Sequence, residues 1–318
     1  MTGRERMEAV FQGKLVDRLP RKGEDYSDVL FLLEDPQQVK DGGGYDAFGV
    51  YFRKSNDGMT PDPVNTPLHD ICDWRTIQFP DPAKLGMEED AKKVRAGYDP
   101  ATQMLRLHVP FCHFERMHAL IGFENALMAF YDDPEEVVAF FDAMSEYKLQ
   151  EIALIKEHYN PDILCCHDDW GTNLNMFFNP ELWREFFKPQ VKKLVDGVHA
   201  LGMRYEQHSC GHVQEIVGDL VELGVDCIQP LQWPCNDIPM IKKTWGDKVV
   251  LSGCADTQAI LNPTADEATI REKVRQCLET CIPGGRFIPY LNVYGEGNDW
   301  KQAIIEDEMC RCEARLLK

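Results

Sequence analysis

No run of about 18 or more apolar residues occurs in this sequence, so it contains no segment of the kind that spans a membrane as a helix. The first residues, MTGRERMEAVFQGK, include no apolar stretch of the kind that marks a secretion signal. Basic residues form no stripe with interleaved aromatic residues, and the net charge of −19 repels nucleic acid. We therefore expect a cytoplasmic protein that binds neither membranes nor nucleic acid.

The spacing typical of a disulfide-stabilised small domain is also missing, although the chain has 12 cysteines. Their scattered positions fit a reduced, cytosolic state. We interpret most of them as small core residues, among them Cys72, Cys112, Cys227, Cys277 and Cys281. Cys310 and Cys312 lie on a predicted terminal helix, where positions i and i+2 diverge, and we interpret them as structural too.

Internal repeats, low-complexity linkers and a GxGxxG segment are absent as well. From about residue 104, apolar segments typical of buried strands alternate with segments of helical spacing. The strand-like segments are MLRLHVPF, PDILCCHDD, MRYEQHSC, VDCIQPL, KVVLSGC and RFIPYLNV. The alternation predicts a parallel sheet, and strands near DRLPRK and within the first hundred residues would bring the number to eight.

We therefore predict an α/β fold with a single TIM (β/α)8-type barrel over residues 1–318, in which about residues 1–100 form an irregular N-terminal segment. The alternative is a doubly wound sheet, which typically has a GxGxxG segment after an early strand, and this chain has none. In barrel enzymes the chemistry lies at the carboxyl ends of the strands. In this sequence those ends concentrate titratable and polar residues, at 112–115, 167–170, 206–210, Gln229 with Gln232, 254–256 and Asn292.

The segment EQHSCGH, residues 206–212, is the first candidate site. Alternate residues of a strand share a face, so Glu206, His208 and Cys210 should point the same way. A histidine nitrogen and a thiolate are ligands that zinc accepts, and Cys254 or Glu206 could provide a third ligand. Two ligands do not make a site, and the alternative is a buried histidine hydrogen-bonded to a neighbouring strand beside an inert cysteine.

Two further clusters are HDDWG, residues 167–171, and HFERMH, residues 113–118. Asp168 or Asp169 could orient a substrate or donate a proton, with Trp170 as an aromatic wall. The alternative is a turn in which an aspartate caps the next helix. Glu115 or Arg116 could bind substrate, and a solvated ion pair at a helix start is the alternative.

The sequence resembles the uroporphyrinogen decarboxylase-like superfamily over nearly its whole length. The segments that carry the resemblance are RERMEAVFQGKLVDRLP, DAFGVYF, HFERMHALIGFEN, HDDWGTN, NPELWREFFKPQVKKLVDGVHALGM, HSCG, LVELGVDCIQPLQ, SGCADTQAIL and PGGRFIPYL. The resemblance implies a single TIM-like barrel. True decarboxylases carry an arginine-rich segment after the first strand, whereas this chain has RKGEDYSD, which is poorly suited to a substrate with many carboxylates.

The other branch that the chain resembles consists of corrinoid-dependent methyltransferases, which are zinc enzymes with a His-x-Cys pair matching His208 and Cys210. DDWGT and FGVYF look most like the subset that demethylates methoxylated aromatic substrates. The resemblance implies a methyl transfer to a corrinoid, or cobalamin, carried by a separate partner protein. The thiol-methylating relatives have a further cysteine on the last strand, where this chain has PYLNVYGEG, so Cys254 is the candidate replacement in a zinc site.

We therefore expect a demethylating, corrinoid-dependent methyltransferase that forms a complex with a corrinoid protein, and a homodimer is the alternative to a single copy. The candidate catalytic residues are Asp168, Asp169 and Glu115, and the candidate substrate-binding residues are Trp170, Phe114, Tyr290 and Asn292. The alternative is a cofactor-free decarboxylase of a smaller acid, with carboxylate clamps at Arg21, Lys22, Arg116 and Arg286. A barrel that only binds a ligand or partner is a third possibility, which the polar strand ends disfavour.

Overall fold

Seven parallel strands form the central sheet in this computed structural model, which describes residues 1–36, 42–55, 58–291, 293 and 297–317. In chain order the strands are β1 (Tyr26–Leu30), β2 (Gly43–Tyr45), β3 (Tyr51–Ser55), β4 (Gly58–Pro61), β5 (Met104–Val109), β6 (Ile163–His167), β7 (Arg204–His208), β8 (Cys227–Leu231), β9 (Val250–Gly253) and β10 (Phe287–Ile288). The parallel sheet has the order β1-β5-β6-β7-β8-β9-β10. The strands β2, β3 and β4 form a separate antiparallel sheet.

The helices make the crossovers that parallel strands require. In chain order they are α1 (Gly3–Phe11), α2 (Met87–Ala96), α3 (Phe114–Ile121), α4 (Phe123–Asp132), α5 (Pro134–His158), α6 (Pro180–Phe186), α7 (Lys188–Ala200), α8 (Val217–Leu223), α9 (Ile238–Trp245), α10 (Thr257–Leu261), α11 (Glu267–Cys281) and α12 (Asp299–Leu316). Proline opens both α5 and α6, where its missing N–H costs nothing. Among the described helices, none is both long and apolar enough to cross a membrane.

The expected alternation of strands and helices is confirmed, and the parallel sheet curls with its strands in chain order. In the described part of the chain this sheet has seven strands, so the eight-stranded closed barrel of the prediction is not seen there. The strand expected near DRLPRK does not form. Pro20 lacks an N–H for a sheet ladder, and this segment is bound instead by Glu313 of α12, which accepts from the Leu19 backbone N–H and pairs with Arg21.

Apolar residues fill the fold in two clusters. The larger cluster lies between the sheet and the surrounding helices. The smaller one fills the inside of the curled sheet near the amino ends of its strands, where α1 covers it; its members are Met7, Val10, Phe11, Tyr26, Met104, Ile163, Cys227, Val250 and Ile288. All 12 cysteines are unpaired thiols. Cys72, which the sequence suggested as a core residue, is exposed at a short 3-10 helix, whereas Cys112, Cys227, Cys277 and Cys281 are buried as expected.

Candidate functional site

Three potential metal ligands converge just beyond the carboxyl ends of β6 and β7. They are Asp169, His208 and Cys210, and one donor atom from each lies within 4.8 Å of the other two. The His208 Nε2 atom is 3.6 Å from the Cys210 Sγ atom and 3.6 Å from a carboxylate oxygen of Asp169. Ligands at zinc bond lengths in a tetrahedral arrangement are about 3.5 Å apart, so this spacing fits one zinc ion.

The backbone around Cys210 explains why these side chains meet. The Cys210 N–H donates to Asp169 Oδ1 at 2.7 Å, which ties the loop after β7 to the loop after β6. Gly211 follows with a φ of +80°, and a Cβ atom there would lie 2.4 Å from the Gly171 carbonyl oxygen. Only glycine fits this close crossing of the two loops.

The orientation of His208 leaves one of its nitrogens available for a metal. Its Nδ1–H donates to the side-chain oxygen of Gln229 on β8. Burial lowers the pKa of His208, so the ring is neutral and Nε2 carries a lone pair. A histidine that donates its other N–H to a fixed acceptor is the usual arrangement around a bound metal, so Gln229 acts as an orienting residue.

Burial also raises the pKa of the Cys210 thiol, and the carboxylates of Asp169 and Glu115 raise it further. The same causes act on Glu115, whose pKa burial raises well above its usual range with Asp169 and Asp168 adding to the shift. Acidic groups that crowd together without a cation hold their protons, and a divalent cation would reverse this for the thiol. The donor set of nitrogen, sulfur and oxygen suits zinc.

Neither of the third ligands suggested by the sequence belongs to this cluster. Glu206 is fully buried inside the sheet, where it pairs with Arg106 of β5. Cys254 follows β9, which is separated from β7 by β8, so about 10 Å of sheet lies between their backbones. The structure brings Asp169 to His208 and Cys210 in their place.

Asp168 and Asp169 are neighbours in sequence with different surroundings. Asp168 is buried and accepts hydrogen bonds from the Phe114 N–H at 3.2 Å, the Glu115 N–H at 2.9 Å and the Trp170 indole N–H at 3.0 Å. It therefore caps the start of α3, which precedes it in the chain, rather than the helix that follows. Burial raises the pKa of Asp168 to about 7 despite these bonds. Asp168 anchors the loop, and Asp169 faces His208 and Cys210.

The predicted aromatic walls are found in two different places. Phe114 and Trp170 are fully buried and pack in the core, Trp170 edge-on against Trp183, and neither lines the cavity at the strand ends. Large aromatic side chains beside a polar segment fill the space between sheet and helices in this fold. Tyr290 does line the cavity at the strand ends, with its ring 5.3 Å from the Arg106 guanidinium. Asn292 lies outside the described residues.

A cavity of about 780 Å³ opens beside His208, inside the carboxyl end of the curled sheet. Its walls are mostly apolar, contributed by Val29, Leu30, Leu32, Pro230, Leu231, Gly253, Cys254, Ala255, Thr257, Leu261 and Tyr290. Its polar lining includes Lys22, Asp28, His108, His167, His208, Gln229 and Gln232. His208 thus belongs both to the ligand cluster and to the cavity, so a metal held by this cluster would lie next to a small molecule in the cavity.

The sequence reasoning missed a row of polar side chains across this cavity. Asp28 contacts the Nε2 atom of His108 at 2.6 Å, and the Nδ1 atom of His108 contacts the Nε2 atom of His167 at 2.7 Å. The His167 ring stacks on the His208 ring, with centroids 3.9 Å apart and an interplanar angle of 6°. The available signal was that β5, β6 and β7 each carry a histidine at or next to their last position.

Comparisons with known proteins show the family and the fold of this chain. Residues 48–290 match the family described as Uroporphyrinogen decarboxylase (URO-D). The chain belongs to the uroporphyrinogen decarboxylase family. Within the fold of that family, it is similar to a solved "methyltransferase from Methanosarcina mazei", with 13% sequence identity, a TM-score of 0.69, and 98% of this chain and 99% of that chain covered. This likeness shows the shared fold. No curated protein is significantly similar to this chain in sequence.

Proposed function

We propose that this member of the uroporphyrinogen decarboxylase family is a zinc- and corrinoid-dependent methyltransferase. It moves a methyl group from a small methylated donor, of the methoxylated aromatic class, to the Co(I) of a corrinoid carried by a separate protein. The observation that carries the proposal is the convergence of Asp169, His208 and Cys210 at the edge of a cavity. The similar Methanosarcina mazei protein, a methyltransferase by name, supports the same branch.

The residues of the cluster would hold zinc, and Gln229 would keep the His208 ring in position through its hydrogen bond. Bound zinc would supply a Lewis acid for the donor oxygen, which leaves as an anion when its methyl group departs. A methyl ether has a poor leaving group, so stabilising that oxygen is the main task of the site.

Glu115 is the proposed proton donor for the departing oxygen. Burial raises the pKa of its carboxyl group, and Asp169 and Asp168 add to the shift, which favours the protonated form that a general acid needs. A protonated acid beside a developing oxyanion is the arrangement that general acid catalysis requires. Asp168, the third residue expected to be catalytic, holds the backbone of Glu115 in place through its hydrogen bond to that N–H.

The cavity suits a small and largely apolar donor. Its apolar walls surround a polar strip in which Lys22 is paired with Asp28 at 2.9 Å, so the strip carries no net excess of either charge. Among the cavity residues that the structure describes, Tyr290 is the one aromatic ring other than histidine. A quaternary ammonium donor would want a cage of several aromatic rings, so the cavity favours a neutral methyl ether.

The alternative decarboxylase requires cations that can clamp carboxylates. Three of the four candidates bind other partners and do not line the cavity: Arg21 pairs with Glu313, Arg116 with Asp46, and Arg286 donates to the Phe11 carbonyl. Lys22 alone of the four lines the cavity, and it is paired with Asp28. The described residues thus support methyl transfer better than decarboxylation.

The proposal is tested by incubating the zinc-loaded protein with free cob(I)alamin and a panel of methoxyarenes. Methylcobalamin, followed by its absorbance, should form with wild-type protein. His208→Ala and Cys210→Ser should each lose on the order of a hundredfold or more of this rate, as expected when a ligand rather than a residue behind it is removed. Cys235→Ser, a matched change of a buried thiol that lies outside the cluster and does not line the cavity, should retain activity.

Two outcomes would overturn the proposal. The first is methyl transfer that persists at the wild-type rate in both ligand variants. The second is the release of CO2 from small aromatic acids, without any corrinoid, by a protein that forms no methylcobalamin from any donor in the panel. That second result would assign the alternative activity to the same cavity.

A further inference from the structure

The row of side chains that crosses the cavity has its protons fixed by its own hydrogen bonds. At one end Asp28 lies 2.9 Å from Lys22 and 3.8 Å from Arg106. Although burial opposes ionisation, the hydrogen bond with His108 and the two nearby cations outweigh it and hold the pKa of Asp28 well below its usual range. Asp28 is therefore a carboxylate, which can only accept hydrogen bonds.

An acceptor at this end determines the tautomer of His108. Burial lowers the pKa of His108 to about 4, so the ring is neutral near pH 7 and carries a single N–H. That N–H must be on Nε2, because Nε2 faces the Asp28 carboxylate at 2.6 Å. The Nδ1 atom of His108 then carries a lone pair, and it accepts across the 2.7 Å contact to His167.

The lone pair on Nδ1 of His108 determines the tautomer of His167 in turn. Its Nε2 atom must donate to His108, so the proton of the neutral ring is on Nε2 and the Nδ1 atom carries a lone pair. Within the described part of the chain, no hydrogen bond of this Nδ1 atom is found, the atom is not among the unpartnered polar atoms that are shielded from solvent, and His167 lines the cavity. The cavity wall thus contains an acceptor whose orientation is fixed by two residues behind it.

We propose that the Nδ1 atom of His167 is a binding subsite for a hydrogen-bond donor, namely a hydroxyl or N–H group of the ligand that occupies the cavity. Asp28 and His108 are positioning residues that keep His167 an acceptor. The subsite does not by itself say what the ligand is. That the ligand is the methyl donor rests on the proposed function. The donor would then be a methylated compound that also carries a free hydroxyl or N–H group.

The hydrogen-bond row can be reversed by one nearly isosteric change. In Asp28→Asn, the amide oxygen should occupy the position beside Lys22 and the Tyr290 hydroxyl, which both donate to it. The amide NH2 then faces His108 and donates to Nε2, so His108 must donate through Nδ1 and His167 must accept through Nε2. The proton of His167 moves to Nδ1, and the subsite becomes a donor.

The test uses protein with 15N-labelled histidine at pH 7 and without added metal. Nitrogen NMR separates ring nitrogens that carry a proton from those that do not, and a His167→Gln sample assigns the resonance. Wild-type protein should show His167 protonated on Nε2, and Asp28→Asn should show it protonated on Nδ1. The matched control is Asp46→Asn, which changes a buried carboxylate that pairs with Arg116 elsewhere and should leave His167 unaltered.

Binding of two probes of similar shape then tests the subsite itself. Phenol can donate to His167, whereas anisole, its methyl ether, can only accept. Wild-type protein should bind phenol on the order of three- to tenfold more tightly than anisole, as expected for one net hydrogen bond. Asp28→Asn should lose or reverse this preference, because the ether oxygen can accept from a protonated Nδ1.

A proton on Nδ1 of His167 in the wild-type protein would overturn the proposal, and this result needs no folded variant. A correct tautomer with equal affinities for phenol and anisole would overturn the subsite while leaving the hydrogen-bond row intact. Neither measurement uses zinc, a corrinoid or methyl transfer. Failure of the methyl-transfer assay would therefore leave both readings unchanged, and failure here would leave the ligand cluster untouched.

Discussion

The two ends of the curled sheet differ sharply, although they are built from the same strands. Near the amino ends its interior is apolar, with Met104, Ile163, Cys227, Val250 and Ile288 packed beneath α1. Near the carboxyl ends, the same faces of these strands carry polar side chains. They are His108 of β5, His167 of β6, His208 of β7 and Gln229 of β8. Along β5 and β6, the interior side chains change from apolar to polar within four residues, or about 13 Å. The fold thus separates its stabilising interior from its chemistry along each strand.

A buried ion pair lies between these two ends. Arg106 and Glu206 lie two positions before the histidines of β5 and β7, on the same face of each strand, and they pair with each other inside the sheet. Within the described structure, the Arg106 Nε atom, the Glu206 Oε2 atom and the Ser252 hydroxyl have no hydrogen-bond partner and are shielded from solvent. This middle layer is therefore costly unless both charges are present, because Arg106 is the ion-pair partner of Glu206, while Arg106 itself also lies 3.8 Å from Asp28.

The largest expected effect comes from breaking this pair. Arg106→Met should lower the free energy of unfolding by about 3–5 kcal/mol, because it leaves the Glu206 carboxylate buried and unpaired. The double variant Arg106→Met with Glu206→Met should recover much of that loss by making the middle layer as apolar as the amino end. Urea unfolding measures both. A single variant no less stable than the double variant would contradict the layered account.

A smaller effect is expected from the pH dependence of stability in the carboxyl half. The folded-state pKa of His108 is lowered to about 4, so below its ordinary value near 6.5 the unfolded chain binds a proton that the folded protein does not. Its contribution to stability is complete above about pH 6.5 and is lost as the pH falls towards about 4. His108→Gln should make the unfolding free energy depend less steeply on pH in this window, by up to about 1.4 kcal/mol per pH unit.

The control for this prediction lies at the other end of the same interior. Ile163→Val changes an apolar side chain near the amino ends and should lower the unfolding free energy equally at every pH. Urea unfolding at several pH values between about 4 and 7 compares the variants. Identical slopes for wild type, His108→Gln and Ile163→Val would show that the polar end does not hold its histidine neutral.

Sequence periodicity predicted those features of the site that depend on a single strand. The rule that alternate residues share a face correctly placed His208 beside Cys210, and the strand-end rule located the cavity. The choice between Asp169 and Cys254 depends on distances between strands, which no single segment contains. The contacts of Asp28 with His108 and of His108 with His167 depend likewise on how β1, β5 and β6 are aligned.

The roles of Trp170 and Asp168 were ambiguous in the sequence, because tryptophan and aspartate each serve in functional sites and in the structural framework. Trp170 beside two aspartates could have lined a substrate site or filled the core, and burial decided for the core. Asp168 could have been a reactive acid or a helix cap, and it caps a helix that precedes it in the chain by more than 40 residues. Capping between distant segments leaves no local pattern that a sequence can show.

The ligand set of the zinc site is tested most directly by X-ray absorption at the zinc edge on the zinc-loaded protein, with zinc content measured in parallel. The account predicts about one zinc per chain with a single sulfur ligand among nitrogen and oxygen ligands. Cys254→Ser should leave that spectrum unchanged, and His208→Ala should lose the zinc. Two sulfur ligands, or zinc retained in full by His208→Ala, would contradict the assignment of Asp169, His208 and Cys210 as the metal site.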